Sequence, residues 1–430
     1  MGRLSATARF LGHLAKDVAG TLALRWRRFH RRTVLGEPLA VVGVDVFPFF
    51  ERMTGVGRYA WNLLAALDER DGDGLEFNLY GRTFLAPEEP APPPMPGSRR
   101  MRLRVHHLPP GFLLPVHPAM AVLQGVVEPL LRVLDGNDVL FAPNFFAHRT
   151  QLPFARTVVA TVHDLAFRAM PETVAPETLA EFERNLGPSL YRSERIVAVS
   201  EATAGDVVQC LGVPRRRVHT VHEGIDPAFS GDPGEPPDGV PERYLLFVST
   251  LEPRKNVANV LRAFRLVVEW GYPGSLVLVG RWGWRTESIR RELDVSPVRD
   301  RILHLDYVEQ EALPALYANA EALLFPSLLE GFGLPLLEAM ACGTPVVTAG
   351  RSAMPEVAGS AAVYVDPESP HGIATGVLAL VRDPEHRRRL GEAGRVRAAL
   401  FRWDRAAGAT AQVLRQAAGL PPTGPDEYRV

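Results

Sequence analysis

The sequence predicts an α/β protein of two doubly wound, Rossmann-like halves facing a central cleft, and three observations carry that expectation. Short β-branched apolar runs alternate with stretches of helical periodicity along most of the chain, the arrangement that yields parallel sheets. A connector dense in Pro and Gly, residues 229–241, divides the alternation into two series. At 430 residues the chain also exceeds what one ordinary core organises. The divisions that follow are a basic segment 1–36, a first domain 37–230, a linker 231–242, a second domain 243–400, a last helix 401–420 and a disordered tail 421–430.

The N-terminal segment stands apart in charge. Eight basic residues, among them Arg25, Arg27, Arg28, Arg31 and Arg32, face one acid, Asp17, for a net +7 in a chain whose total is −1. Leu4, Ala8, Leu11, Leu14, Val18, Leu22, Trp26 and Phe29 recur at three- and four-residue steps, so they share one helical stripe. A basic amphipathic helix of this kind lies in a membrane interface, each Arg contributing about 1 kcal/mol near an anionic leaflet. Residues 1–33 are therefore expected to attach the protein peripherally to the inner leaflet; a helix packed on the protein's own surface or a disordered arm is the alternative. Lys16 and Asp17 interrupt any apolar centre, which excludes a secretory signal.

Elsewhere the composition excludes more than it assigns. Hydrophobic residues make up 46% and charged residues 23%, as in soluble globular proteins, and a near-zero net charge provides no field to draw in nucleic acid. Cys210 and Cys342 are the only cysteines, too few for a disulfide framework or a C-x-x-C metal site, so a reducing cytoplasm is expected. No apolar run reaches the ~18 residues that a spanning helix requires.

In the first half, strands are expected at 39–46, 76–80, 101–108, 138–142, 157–162, 196–200 and 218–222. After the first of them, Gly55-x-Gly57 opens a helix whose apolar stripe is Val56, Tyr59, Leu63, Leu64 and Leu67. Eight residues separate this loop from its strand, and no acid follows the second strand near Tyr80-Gly81-Arg82, so a dinucleotide fingerprint is excluded. The strand ending at Val162 runs into His163-Asp164, and ligands collect outside the carboxyl ends of such strands. Asp164 is expected to orient the imidazole, while Asn144 and Thr203 hold similar strand-end positions and line the cleft. Asp71-Gly72-Asp73 sits among Arg70 and Gly74, which is turn chemistry, and no metal is assigned.

In the second half, strands are expected at 244–249, 276–279, 302–307, 322–325, 345–348 and 363–365. Arg254-Lys255-Asn256 follows the first of these. Asn256 is expected to cap the next helix, which leaves the basic pair beside a positive helix end, where it suits a pyrophosphate. Lys255 is one of only two lysines in the chain. Gly280-Arg-Trp-Gly-Trp284 ends the next strand, where Gly280 permits close approach and the tryptophans either stack on a ligand or pack, and Val308-Glu309-Gln310 ends the following strand and is expected to border the nucleotide base. After strand 322–325, Gly331 and Gly333 open a turn, Pro335 takes the first helical position, and Gly343 stops the helix. The turn presents the amides of Gly331, Phe332, Gly333 and Leu334 at a helix N-terminus, a place for phosphate. Glu330 precedes the turn and Glu338 falls on the first helical turn, two acceptors for the hydroxyls of a sugar and a ribose.

Taken with Pro326-Ser327 before the acids and Gly343-Thr-Pro-Val-Val347 after them, this E-x7-E stretch resembles that of retaining glycosyltransferases of the GT-B fold, the large glycosyltransferase family 4. The resemblance covers nearly all of residues 39–410, and it implies the following roles. Arg254 and Lys255 neutralise a departing diphosphate with help from the Gly331–Leu334 amides. Glu330 holds the transferred sugar, Glu338 the ribose, and His163 contacts the sugar near the reacting carbon. Gly55 and Gly57 allow close approach of backbone to the donor, with Arg58 facing phosphate, and Asn144, Asp164 and Thr203 fall on the acceptor side. The last helix crosses back to the first domain. The implied reaction moves a hexosyl group, mannosyl from GDP-mannose in the narrowest form, from a nucleotide sugar to a saccharide or lipid-linked acceptor in polysaccharide or cell-envelope glycan synthesis. No cofactor beyond the donor substrate, no metal and no nucleic acid is implied. Two alternatives stay open: a non-catalytic saccharide-binding or scaffold protein, and a nucleotide-sugar epimerase.

Overall fold

A computed structural model describes residues 39–46, 55–70, 72–84, 101–108, 136–147 and 155–422, together with single positions between 22 and 36. Most of the basic segment, the loop 47–54, Asp71 and the tail from 423 onward lie outside the described residues, and with them part of the membrane and tail expectations.

The first sheet contains β1 (Ala40–Asp45), β2 (Leu75–Phe84), β3 (Met101–Leu108), β4 (Asn137–Ala142), β5 (Ala155–Val162), β6 (Ser193–Ala198) and β7 (Val218–Thr220) in the order β3-β2-β1-β4-β5-β6-β7. The second contains β8 (Tyr244–Val248), β9 (Ser275–Val279), β10 (Ile302–Leu305), β11 (Ala322–Phe325), β12 (Val346–Ala349) and β13 (Ala362–Val365) in the order β10-β9-β8-β11-β12-β13. Neighbouring strands pair in parallel throughout. Continuous apolar runs such as Val41–Val44 and Leu245–Phe247 are buried on both faces, as parallel sheets between helices require. In each sheet the order reverses once, between β1 and β4 and between β8 and β11, and such switch points open a crevice at the strands' carboxyl ends.

Strand ends depart from the sequence expectation where a partner decides them. β2 runs to Phe84 because Gly81–Phe84 pair with Val105–Leu108 of β3, and β10 stops at Leu305, opposite the last residue of β9. β6 begins at Ser193 because that residue pairs with Val158 of β5.

Helix α1 (Gly55–Asp68) buries Tyr59, Leu63, Leu64 and Leu67 against the first sheet. The last helix, Trp403–Ala417, packs on α1 and on β4 to β6. Its Arg415, 2% exposed, donates to the carbonyl of Asp73, while the Asp73 carboxylate accepts the Leu75 amide at 3.0 Å. Asp73 thus serves the strand start. One apolar cluster runs from Tyr59 through Phe229 and Phe332 to Phe401 and Trp403, so the two sheets share a core rather than meeting across water. Among the described residues, no helix is long and apolar enough to cross a membrane.

Candidate active site

The two strands that flank the switch point of the second sheet supply the charged groups. Past β8 the chain makes a tight turn, Pro253–Lys255, and then helix α2 (Val257–Glu269). Asn256 precedes α2 in a left-handed conformation, φ 63°, and its side chain does not cap the helix as expected. It donates instead to the carbonyls of Pro326 (2.9 Å) and Pro367 (2.7 Å), which ties the basic turn to the chain leaving β11.

That tie brings the charges together. Lys255 Nζ donates to both oxygens of Glu330, at 2.7 and 2.9 Å, and both residues are more than nine-tenths buried. Arg254 donates to the carbonyl of Leu329 at 3.0 Å and lies 3.0 Å from Glu252, 3.5 Å from Glu330 and 3.5 Å from Asp164. Burial acts to lower the guanidinium pKa, but Asp164, Glu330 and Glu252 outweigh it and hold the pKa above its ordinary value. The cluster contains two cations and three carboxylates, and any anion that entered it would compete with Glu330 for Lys255.

Asp164 comes from the other half, so Arg254 bridges the halves. Sequence order suggested that Asp164 orients its neighbour His163; its Oδ1 accepts the Ala166 amide at 2.9 Å and its Oδ2 faces Arg254. The imidazole is fixed by other groups. His163 Nε2–H donates to Pro143 O at 2.8 Å, the carbonyl next to Asn144, and Nδ1 faces Glu223 at 3.6 Å. Tyr59 and Phe145 pack edge-on against the ring, at 4.7 and 5.1 Å between centroids.

The glycine turn takes the shape expected, one residue early. Gly333 adopts φ 102°, helix α3 (Leu334–Cys342) begins at Leu334 with Pro335 second, and Gly343 ends it at φ 78°. Gly331 is pressed directly onto the first half: a Cβ there would stand 1.5 Å from the carbonyl oxygen of His163. Ser200 Oγ donates to Gly331 O at 2.6 Å, and Thr203 Oγ1 lies 3.2 Å from Gly331 O and 3.3 Å from His163 O. Thr203 therefore pins one half to the other at the turn. Gly55 opens α1 as an exposed residue, and a Cβ added there would meet nothing within 4 Å, whereas Gly57 is buried. Phe332 is buried against Phe401 and His222 rather than open to a ligand.

Glu338 falls on the second turn of α3, not the first. Its carboxylate accepts the Tyr317 hydroxyl at 2.7 Å and lies 3.8 Å from Arg58 at the start of α1. Burial raises its pKa, while Arg58 and Tyr317 pull it back. Glu330 and Glu338 thus serve two different partners within one interface. Arg58 faces a carboxylate, a contact across the halves that sequence alone did not reveal.

Sequence reasoning also missed Glu252, 2% exposed behind Arg254, and Glu356. The Glu356 carboxylate receives the amides of Glu201 (2.8 Å) and Ala202 (3.2 Å), at the N-terminus of helix Glu201–Leu211, as well as His222 Nε2. Burial would raise the Glu356 pKa, but these donors hold it below the usual carboxylate value. The signal for Glu252 was its place two residues before Arg254 at a strand end. Glu356 left none.

Two family profiles match the chain in succession: Glycosyltransferase Family 4 over residues 53–229 and Glycosyl transferases group 1 over residues 235–397. The chain belongs to this glycosyltransferase family. Among relatives of the enzyme, O-antigen chain mannosyltransferase B of Escherichia coli is 28% identical over 82% of this chain and 93% of its own. The MMP alpha-(1->4)-mannosyltransferase of Mycolicibacterium hassiacum is 35% identical over 52% of this chain and 54% of its own. The glycosyltransferase shares its fold with sucrose-phosphate synthase from Thermosynechococcus elongatus, at TM-score 0.64 and 20% identity over 88% and 98% of the two chains. Anabaena HepE in complex with UDP and glucose gives TM-score 0.65 at 16% identity over 89% and 100%. The two Rossmann-like halves are those of the GT-B fold, and the enzyme is a hexosyltransferase.

Proposed function

We propose that this glycosyltransferase moves a mannosyl group from GDP-mannose to a saccharide or lipid-linked glycan acceptor of the cell envelope, with retention at the anomeric carbon. The observation that carries the reading is the joining of Arg254, Lys255 and Glu330 at the switch point of the second sheet, in contact through Arg254 with Asp164 of the first, the neighbour of His163. When the bond from the anomeric carbon to the diphosphate breaks, the leaving group keeps the electron pair, and Arg254 and Lys255 meet that charge. Glu330, released from Lys255, accepts sugar hydroxyls. Docked halves place the acceptor against the same carbon. The named mannosyltransferase relatives support the sugar, and the UDP seen in HepE keeps the base open to test.

Incubation with GDP-mannose, UDP-glucose and ADP-glucose, with and without oligomannoside acceptors, checks this. GDP-mannose is expected to give an acceptor-dependent product, α-linked by NMR. Product from donor alone marks an epimerase or hydrolase, and an inert enzyme across the panel marks a binding protein.

Attachment to an anionic membrane surface is part of the same reading. Leu22, Trp26 and Phe29, at helical spacing, are 59%, 67% and 58% exposed, and Arg31 lies 3.7 Å from Glu76 of β2. Full-length protein is expected to float with phosphatidylglycerol-containing liposomes, and protein lacking residues 1–33 to stay in the soluble fraction. Equal flotation of the two removes this part.

A further inference from the structure

Glu223 has entered so far only as the carboxylate that faces His163 Nδ1. It follows β7 in the loop 221–226, which is held against the start of the last helix by the Ile225 amide donating to Phe401 O at 3.0 Å. The residue is 5% exposed, and its carboxylate accepts no hydrogen bond among the described residues; its one polar neighbour within ion-pair range is His163 Nδ1, at 3.6 Å. An ionised carboxylate so buried is costly unless donors meet it.

The geometry of His163 sharpens the point. Because Nε2–H is given to Pro143 O, a neutral ring turns an acceptor lone pair toward Glu223, and only a protonated ring offers it an N–H. Tyr59 and Phe145 prevent the ring from turning away. The other polar groups around this place are engaged elsewhere: Arg58 with Glu338, Asp164 with Arg254, His222 with Glu356, Arg402 with Asp404, Arg405 with Leu400 O, and Tyr59 Oη 3.4 Å from Thr161 Oγ1. With the ring neutral, a donor for this carboxylate comes from outside the protein.

We infer that Glu223 is a substrate-contacting residue, whose carboxylate accepts a hydroxyl of a saccharide seated beside His163. This rests on the glycosyl-transfer reading above, and the hydroxyl belongs either to the transferred sugar or to the acceptor. The experiment is Glu223→Gln, which keeps the shape and removes the charge, with Glu223→Asp as the conservative partner. Glu223→Gln is expected to lower transfer at least 10-fold, partly rescued by Glu223→Asp, while the melting temperature stays level or rises because an uncompensated buried charge is gone. A rise in acceptor KM with donor hydrolysis unchanged assigns the hydroxyl to the acceptor; loss of both transfer and hydrolysis assigns it to the donor sugar. Transfer within twofold of wild type, or a melting temperature lowered by several degrees, overturns the inference and leaves Glu223 structural. A wild-type enzyme inert toward every nucleotide sugar removes the transfer reading itself, and this inference with it.

Discussion

Lys255→Ala is expected to lower kcat/KM by roughly 10²-fold or more, the scale on which one charge-stabilising contact at a developing anion acts. The expectation follows from position. Lys255 is 9% exposed and its ammonium touches both oxygens of Glu330, so it stands where water gives little screening and where a diphosphate would leave. Glu330→Ala is expected to fall by a similar factor for the complementary reason, since it removes an acceptor for the sugar and leaves Lys255 without its partner. Each substitution also breaks a buried ion pair, and that alone destabilises by about 3–5 kcal/mol in comparable cases. Kinetics therefore have to be measured below the melting transition of each variant, with donor varied at fixed acceptor. The electrostatic role predicts that the Lys255→Ala loss persists in kcat at saturating donor. Near-wild-type turnover in both variants would remove the site.

The sheets and the cluster were readable from sequence to different depths. Thirteen strands were expected and the two sheets contain them; the inner ones, such as β1, β8, β11 and β12, are runs of buried apolar residues between helices, while β10 and β13 at the edges of the second sheet are only partly buried. Arg254 and Lys255 were readable as a basic pair at a strand end, and Glu330 as an acid before a glycine turn, since those are local facts. What escaped depends on how the halves dock. Asp164 belongs with Arg254, ninety positions away, rather than with the histidine beside it. Asn256 gives its amide to Pro326 and Pro367 because their carbonyls lie close by, and helix capping then falls to no side chain. Glu338 pairs with Arg58 of the other half, and no periodicity along α3 announces that.

Gly331→Ala tests whether docking of the halves is needed for the chemistry. The methyl group it adds would stand 1.5 Å from the His163 carbonyl oxygen, where ordinary contact begins at 3.4 Å, so the two backbones must separate by about 2 Å. Separation strains the Ser200 and Thr203 contacts to Gly331 O, and it draws Arg254 from Asp164. Since a misplacement of about 1 Å at a reacting centre costs on the order of 10²-fold, kcat is expected to fall at least that far. Nucleotide binding should change much less, because Arg254, Lys255 and Glu330 all belong to the second half and keep their mutual contacts. Alanine also retains the amide at residue 331, so no donor is lost from the turn. The comparison is therefore kcat against the Kd of the nucleoside diphosphate: a large fall in the first with the second within about threefold is the expected result. Equal losses in both would mean that Gly331 shapes the nucleotide pocket itself, and an unchanged kcat would mean that the enzyme works with its halves apart.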